Sequence, residues 1–220
     1  MMGPPKFPQI IAEPPRGSVL VLAPHPDDES LGCGGVIALH HRQGDRVTVV
    51  VATDGAAGDP MGYYRDCDYP ALRREEAGRA ASILGIDTLE FWGYPDGQLA
   101  EATDLAVRLQ ARLVADRPDI VYRPSTLELH ADHWALGLAA QEALRQYRPP
   151  CGDFCYEVWA TVQPTHCLNI TPVWDLKRNA VEQYASQLRY NDLLHMMSGL
   201  NAYRTLVAPW ARYVEAFQAG

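Results

Sequence analysis

The run Val47-Thr48-Val49-Val50-Val51-Ala52 restricts the fold more than any other stretch of this chain. It is continuously apolar and β-branched instead of alternating, which is the pattern of a strand covered on both faces. Such a strand belongs near the centre of a sheet with helices above and below it. From Ser18 onward the pattern predicts strand 18–24, helix 29–43, strand 46–53, helix 68–85, strand 87–92, helix 102–117 and strand 119–123. Strands that alternate with amphipathic helices imply right-handed crossovers and parallel pairing. The expected fold is therefore α/β and Rossmann-like, a mostly parallel sheet covered by helices on both faces.

The last third differs in texture and reads as a C-terminal β/α elaboration. Short strands are expected at 155–161 and 166–171, two helices within 175–207 split near Tyr190-Asn191-Asp192, and a final strand at 212–217. Residues 1–17 are proline-rich without periodicity, so they read as an extended arm that wraps the body or frays. Residues 18–220 read as a single domain.

Charge and cysteine usage narrow the function. A net charge of −8 disfavours nucleic acid and anionic lipid, both of which need a basic face. No apolar stretch approaches the ~20 residues of a spanning helix, so no membrane insertion is expected and a cytoplasmic location follows. Five cysteines, odd in number and irregularly spaced, argue against a disulfide framework. Cys151, Cys155 and Cys167 could be read as metal ligands, but the apolar runs around Cys155 and Cys167 favour packing.

Ligands of such sheets gather outside the carboxyl ends of the strands, and the chemistry of this chain is concentrated there. Behind the first predicted strand stands Ala23-Pro24-His25-Pro26-Asp27-Asp28-Glu29. An imidazole and three carboxylates within five residues repel and desolvate one another unless a cation sits among them. A second cluster, His130-Ala131-Asp132-His133, lies far downstream. Two histidines and one carboxylate make a three-ligand set with open positions, the pattern of hydrolytic zinc, and ferrous iron suits the same donors. His25, Asp28 and His133 form such a set, although spacing alone does not separate His133 from His130. Gly32-Cys33-Gly34-Gly35 departs from a dinucleotide fingerprint because Ile37 stands where the last glycine belongs. Close packing of that helix onto the sheet is expected instead.

These motifs resemble the LmbE-like, PIG-L-type family of metal-dependent de-N-acetylases, whose signatures are Ala-His-Pro-Asp-Asp-Glu and His-x-Asp-His. Thr53-Asp54-Gly55, the segment from Arg73 to Gly85, Gly93-Tyr94-Pro95-Asp96 and Tyr184-Ala185-Ser186-Gln187 follow in matching order. The resemblance implies one divalent metal, zinc by default, on His25, Asp28 and His133. It also implies removal of an N-acetyl group from an N-acetylglucosamine-containing small molecule, with Arg73 and Asp96 contacting the sugar. Asp27, which cannot face the same way as its neighbour, is the expected general base. His130 is the expected acid or oxyanion partner, with Asp132 holding its ring.

One position departs from the family. Relatives acting on sugar-inositol thiol precursors carry a tyrosine where this chain has Glu128, so Glu128 becomes a candidate for meeting a cationic substrate. Tyr63, Tyr64, Trp92, Tyr94 and Trp134 are either core or sugar-stacking residues. The glycine-containing loop 55–69 reads as a candidate lid. An amidase on a larger N-acyl or thiol-conjugate substrate and a non-catalytic metal- or sugar-binding module are the competing readings. Homo-oligomerisation is compatible with all three.

Overall fold

A computed structural model describes residues 6–220; the start of the N-terminal arm, residues 1–5, lies outside the described residues. The strands are β1 (Gln9–Ile11), β2 (Val19–Ala23), β3 (Val47–Thr53), β4 (Thr88–Tyr94), β5 (Ile120–Pro124), β6 (Gly152–Tyr156), β7 (His166–Asn169) and β8 (Val214–Ala219). The helices are α1 (Asp28–Gln43), α2 (Tyr69–Leu84), α3 (Leu105–Asp116), α4 (Ala131–Gln146), α5 (Trp174–Val181), α6 (Ala185–Leu188) and α7 (Leu193–Tyr203). All eight strands join one sheet in the order β1-β7-β8-β6-β5-β2-β3-β4. Pairing is parallel from β6 through β5, β2 and β3 to β4, and β8 runs antiparallel to β6 and β7.

Both faces of the central strands are buried, as continuous apolarity requires. Val19, Val21 and Ala23 of β2 pack with Val36 and Ile37 of α1, Ala77 and Ala80 of α2, and Ala180 and Val181 of α5. Leu20 and Leu22 point the other way, into a layer made with Leu105, Leu109 and Leu113 of α3 and Leu136 and Ala140 of α4. The chain winds outward from β2 through β3 to β4, then crosses back to β5 on the other side of β2. This reversal makes a switch point between the carboxyl ends of β2 and β5, where an α/β sheet opens a crevice.

The glycines of α1 serve close approach, not phosphate. A Cβ on Gly32 would lie 2.4 Å from the Tyr156 ring, and one on Gly35 would lie 2.5 Å from Ile170. One expectation needs correction, and two elements add to what the pattern shows. Within the arm, Gln9–Ile11 pairs in parallel with β7. Helix α4 follows the loop after β5, a helix that the pattern does not announce. The strand expected at 155–161 ends at Tyr156, because side chains satisfy the backbone beyond it. The Glu128 carboxylate accepts from the N–H groups of Val158, Trp159 and Ala160 at 3.1–3.2 Å, and Glu157 accepts from that of Val162 at 2.8 Å. All five cysteines are free, with Cys155 and Cys167 in the interior. No helix among the described residues is long and apolar enough to cross a membrane.

Candidate active site

The loop leaving β2 is bent sharply, and the bend displays its side chains. Asp27 caps α1 with φ 141°, a conformation that is strained for a residue with a Cβ and persists only where surrounding contacts enforce it. Its N–H donates to Glu29 Oε2 at 3.2 Å, and its C=O accepts from Ser30 and Leu31. The Arg73 guanidinium donates to Pro26 C=O and, at 3.2 Å, to Asp27 Oδ2. Glu29 in turn accepts from the hydroxyls of Ser30 and Tyr184. Glu29 is therefore a brace for the ligand loop.

Three donor atoms converge at the switch point. His25 Nδ1 lies 3.2 Å from Asp28 Oδ2 and 3.2 Å from His133 Nε2, and His133 Nε2 lies 3.1 Å from Asp28 Oδ2. A tetrahedral ion with ligand bonds of ~2.0–2.1 Å would set its ligands ~3.3 Å apart. The triangle matches that face, and its three atoms, two imidazole nitrogens and a carboxylate oxygen, are ones a divalent cation takes as ligands. The donor set thus fits a divalent metal, which His25, Asp28 and His133 would hold, and His25 and Asp28 also line a cavity. His25, His130 and His133, and likewise His25, Asp96 and Asp132, bring potential ligand atoms within 4.8 Å of one another. The His25-Asp28-His133 set is the compact one, and the other histidine and carboxylates surround it.

Those surrounding groups are not where sequence reasoning puts them. Asp132 sits in the first turn of α4, and its carboxylate accepts from the N–H groups of Gly97 at 2.7 Å and Leu99 at 2.9 Å. It also faces His25 Nε2 at 3.1 Å. Asp132 therefore orients His25 and does not hold the His130 ring, because the start of α4 directs it back toward β2. Asp96 is committed similarly, with Oδ1 3.0 Å from His25 Nε2 and Oδ2 accepting from Ala57 N–H. Each oxygen of Asp96 thus has one protein partner. Arg73 is buried against Pro26 and Asp27 through one terminal nitrogen, with its Nε left without a partner. Glu128 is tied to the 158–160 backbone, and its Oε2 lies 3.7 Å from His133 Nδ1. It stands behind a ligand instead of meeting a substrate. Of the aromatic residues read as either core or sugar-stacking, Tyr63 stacks on Tyr190 and Trp92 packs beside Tyr94.

His130 caps α4, its Nδ1 accepting from Asp132 N–H at 3.2 Å. This bond leaves the proton of a neutral ring on Nε2. Burial, reinforced by His25 and His133, lowers its pKa, so the ring is a neutral donor at pH 7. Burial alone would depress His25, but hydrogen bonds with Asp132, Asp28 and Asp96 outweigh it and raise its pKa well above the usual value. Burial would raise Asp28, yet the two imidazoles hold it well below the usual carboxylate range. Burial dominates at Asp27, whose carboxyl is pushed up to about 8 against the opposing pull of Arg73.

Beside the triad lies a cavity of about 290 Å³ whose lining includes His25, Asp27 and Asp28 at one end and residues of α7 and the 157–161 loop at the other. Sequence reasoning did not single out the residues of this wall. Leu193, Met196, Met197 and Leu200 recur at helical spacing, so an apolar face was legible, though not what it faces. Glu157 and Arg204 pair to pin the loop to the segment after α7.

A mostly parallel α/β sheet with a two-histidine, one-carboxylate donor set at its switch point defines the class: an α/β protein carrying the donors that a hydrolytic metal site uses. The chain belongs to the GlcNAc-PI de-N-acetylase (PIG-L) family, whose model matches residues 20–144. It is 28% identical to a diacetylchitobiose deacetylase of Thermococcus kodakarensis, over 77% of this chain and 69% of that protein. It is 33% identical to a probable N-acetyl-alpha-D-glucosaminyl L-malate deacetylase 2 of Bacillus anthracis, over 77% and 80%. A 4-oxalmesaconate hydratase of Pseudomonas putida is 28% identical over 93% and 90%. Among solved structures, the conserved protein TT1542 of Thermus thermophilus superposes with TM-score 0.80 at 28% identity, covering 92% of this chain and 94% of that one.

Proposed function

We propose that the protein is a zinc-dependent N-deacetylase acting in the cytoplasm on an acetamido sugar of the N-acetylglucosamine type. The triangle of His25, Asp28 and His133 donor atoms carries this reading. Two of the relatives above are named for removing acetyl groups from such sugars. A bound zinc ion would activate a water and polarise the amide carbonyl. Ferrous iron fits the same donors, and metal analysis distinguishes the two.

The chain's own residues then have separable tasks. Asp27 pairs with Arg73 through Oδ2; a divalent cation held by neighbouring Asp28 would oppose the burial that raises the Asp27 pKa and keep the carboxylate ionised, leaving Oδ1 to take the proton of the attacking water and return it to the amide nitrogen as the C–N bond breaks. His130 donates from Nε2 to the carbonyl oxygen as it gains charge. Asp132 and Asp96 fix the ring of His25, and Glu128 backs His133.

The hydratase relative motivates a second reading, water addition to an unsaturated acid. Such a substrate needs cations for its carboxylates, and among the described residues no lysine or arginine lines the cavity beside the triad. The test is metal analysis of the purified protein followed by acetate release from N-acetylglucosamine and diacetylchitobiose. Stoichiometric zinc and acetate release, abolished to within ~10²–10⁴-fold in Asp27→Asn with metal retained, are expected. Zinc-loaded protein that releases no acetate but hydrates 4-oxalmesaconate would overturn the deacetylase assignment.

A further inference from the structure

The cavity beside the triad is built for hydrocarbon. Its wall is formed by Leu193, Met196, Met197 and Leu200 of α7 with Val158 and Trp159 of the facing loop. Met196 is 52% exposed and Trp159 55% exposed; these are large apolar side chains turned toward solvent at the mouth of a site. Apart from the exposed Thr161 on the lining and the Arg73 Nε, the polar groups close by have partners. Gln187 donates to Gly58 C=O and the Tyr69 hydroxyl, Glu157 is paired with Arg204, Arg73 with Asp27, and Asp96 with His25. A sugar bearing only hydroxyls would find few free donors or acceptors along this wall and would leave its apolar surface wet.

Size points the same way. An acetyl methyl needs roughly the ~30 Å³ share of a single water molecule, a small part of about 290 Å³. The tie between Glu157 and Arg204 and the Glu128 carboxylate under residues 158–160 hold the Trp159 loop against α7, so the wall is fixed in place.

We infer that the preferred substrate is an amide of an amino sugar that carries an alkyl or aryl group beside the scissile bond, and that Met196 and Trp159 set this preference. The inference rests on the hydrolase reading above and specifies its substrate class. The chemistry is unchanged: water adds to the carbonyl carbon, the C–N bond breaks, the nitrogen gains a proton, and a carboxylate and a primary amine leave. The hydrocarbon is either the acyl chain or a group on the sugar's anomeric oxygen, and both place the same apolar matter against the same wall.

The experiment uses zinc-loaded protein and two substrate series. One is N-acetyl, N-butanoyl, N-hexanoyl and N-octanoyl glucosamine; the other is N-acetylglucosamine with methyl, butyl, octyl or phenyl on its anomeric oxygen. In at least one series kcat/KM is expected to rise about threefold to fourfold per methylene that enters the cavity, and at least tenfold overall. Met196→Gln is expected to shrink the ratio between the longest and shortest members at least fivefold. Turnover of the parent acetamido sugar with flat or falling profiles in both series overturns the inference and leaves the deacetylase reading standing. If no member is turned over, that reading fails, and binding decides the inference through tryptophan fluorescence with Trp159→Phe as the blank. A blue shift and at least tenfold tighter binding for octyl-bearing members support it; equal affinities across the series overturn it.

Discussion

Asp132 shows how a single carboxylate changes meaning between sequence and structure. In the sequence it stands two positions from His130, and that proximity suggests a His130 partner. In the fold its three bonds reach Gly97, Leu99 and His25 Nε2, so it fixes the loop after β4 and the first metal ligand together. Asp132→Asn keeps shape but removes the charge that makes His25 a stronger donor. Zinc affinity is expected to fall by ~10–100-fold, measured by competition with a chromophoric chelator. His130 should keep its tautomer in that variant, because the bond fixing it comes from the Asp132 backbone N–H. A variant with wild-type zinc affinity would return Asp132 to the His130 side of the site.

Among the elements, α1 is under the tightest steric constraint, because it carries the ligand loop at one end and must lie close to β6, α5 and the chain after β7. The Glu215 carboxylate of β8 accepts from Gly35 and Val36 N–H at 2.7 and 2.8 Å and pairs with buried Lys177 of α5 at 2.7 Å. A methyl at Gly35 would enter that junction, 2.5 Å from Ile170 and 2.9 Å from Glu215. Gly35→Ala is expected to destabilise by ~1–3 kcal/mol, whereas Gly78→Ala in α2, which meets nothing within 4 Å, should stabilise by ~0.5–1 kcal/mol. Urea denaturation of the two variants gives opposite signs if α1 is packed this tightly, and equal signs would refute it. The same packing explains what was legible in advance. The strands β2, β3 and β5 and the helices α1 and α2 announce themselves by buried periodicity. His25 and His130 could be placed at one crevice because both follow strand ends. The partners of Arg73, Asp96 and Glu128 were not legible, because where a long or charged side chain points is set by elements distant in sequence. The strand expected at 155–161 failed for a related reason, since two glutamates take the N–H groups that a neighbouring strand would otherwise satisfy.

For the molecule as a whole, the site joins the two halves of the sheet across its switch point. His25 and Asp28 leave β2, His133 opens α4 after β5, and 108 residues separate the two histidines that meet. In the unfolded chain these donors are far apart, so an ion bound by all three favours the native state alone and stabilises it by RT ln(1 + [L]/Kd), ~4 kcal/mol at a thousandfold excess over Kd. For a chain of this length each kcal/mol moves Tm by ~2–4 °C, so zinc should raise Tm by ~8–16 °C over chelator-treated protein. The gain should vanish in His133→Ala and persist in His130→Ala, whose ring nitrogen is engaged in capping α4. Loss of the gain in His130→Ala with retention in His133→Ala would exchange the roles of the two histidines. A Tm indifferent to zinc in the wild type would mean that the triangle at the switch point holds no ion of consequence.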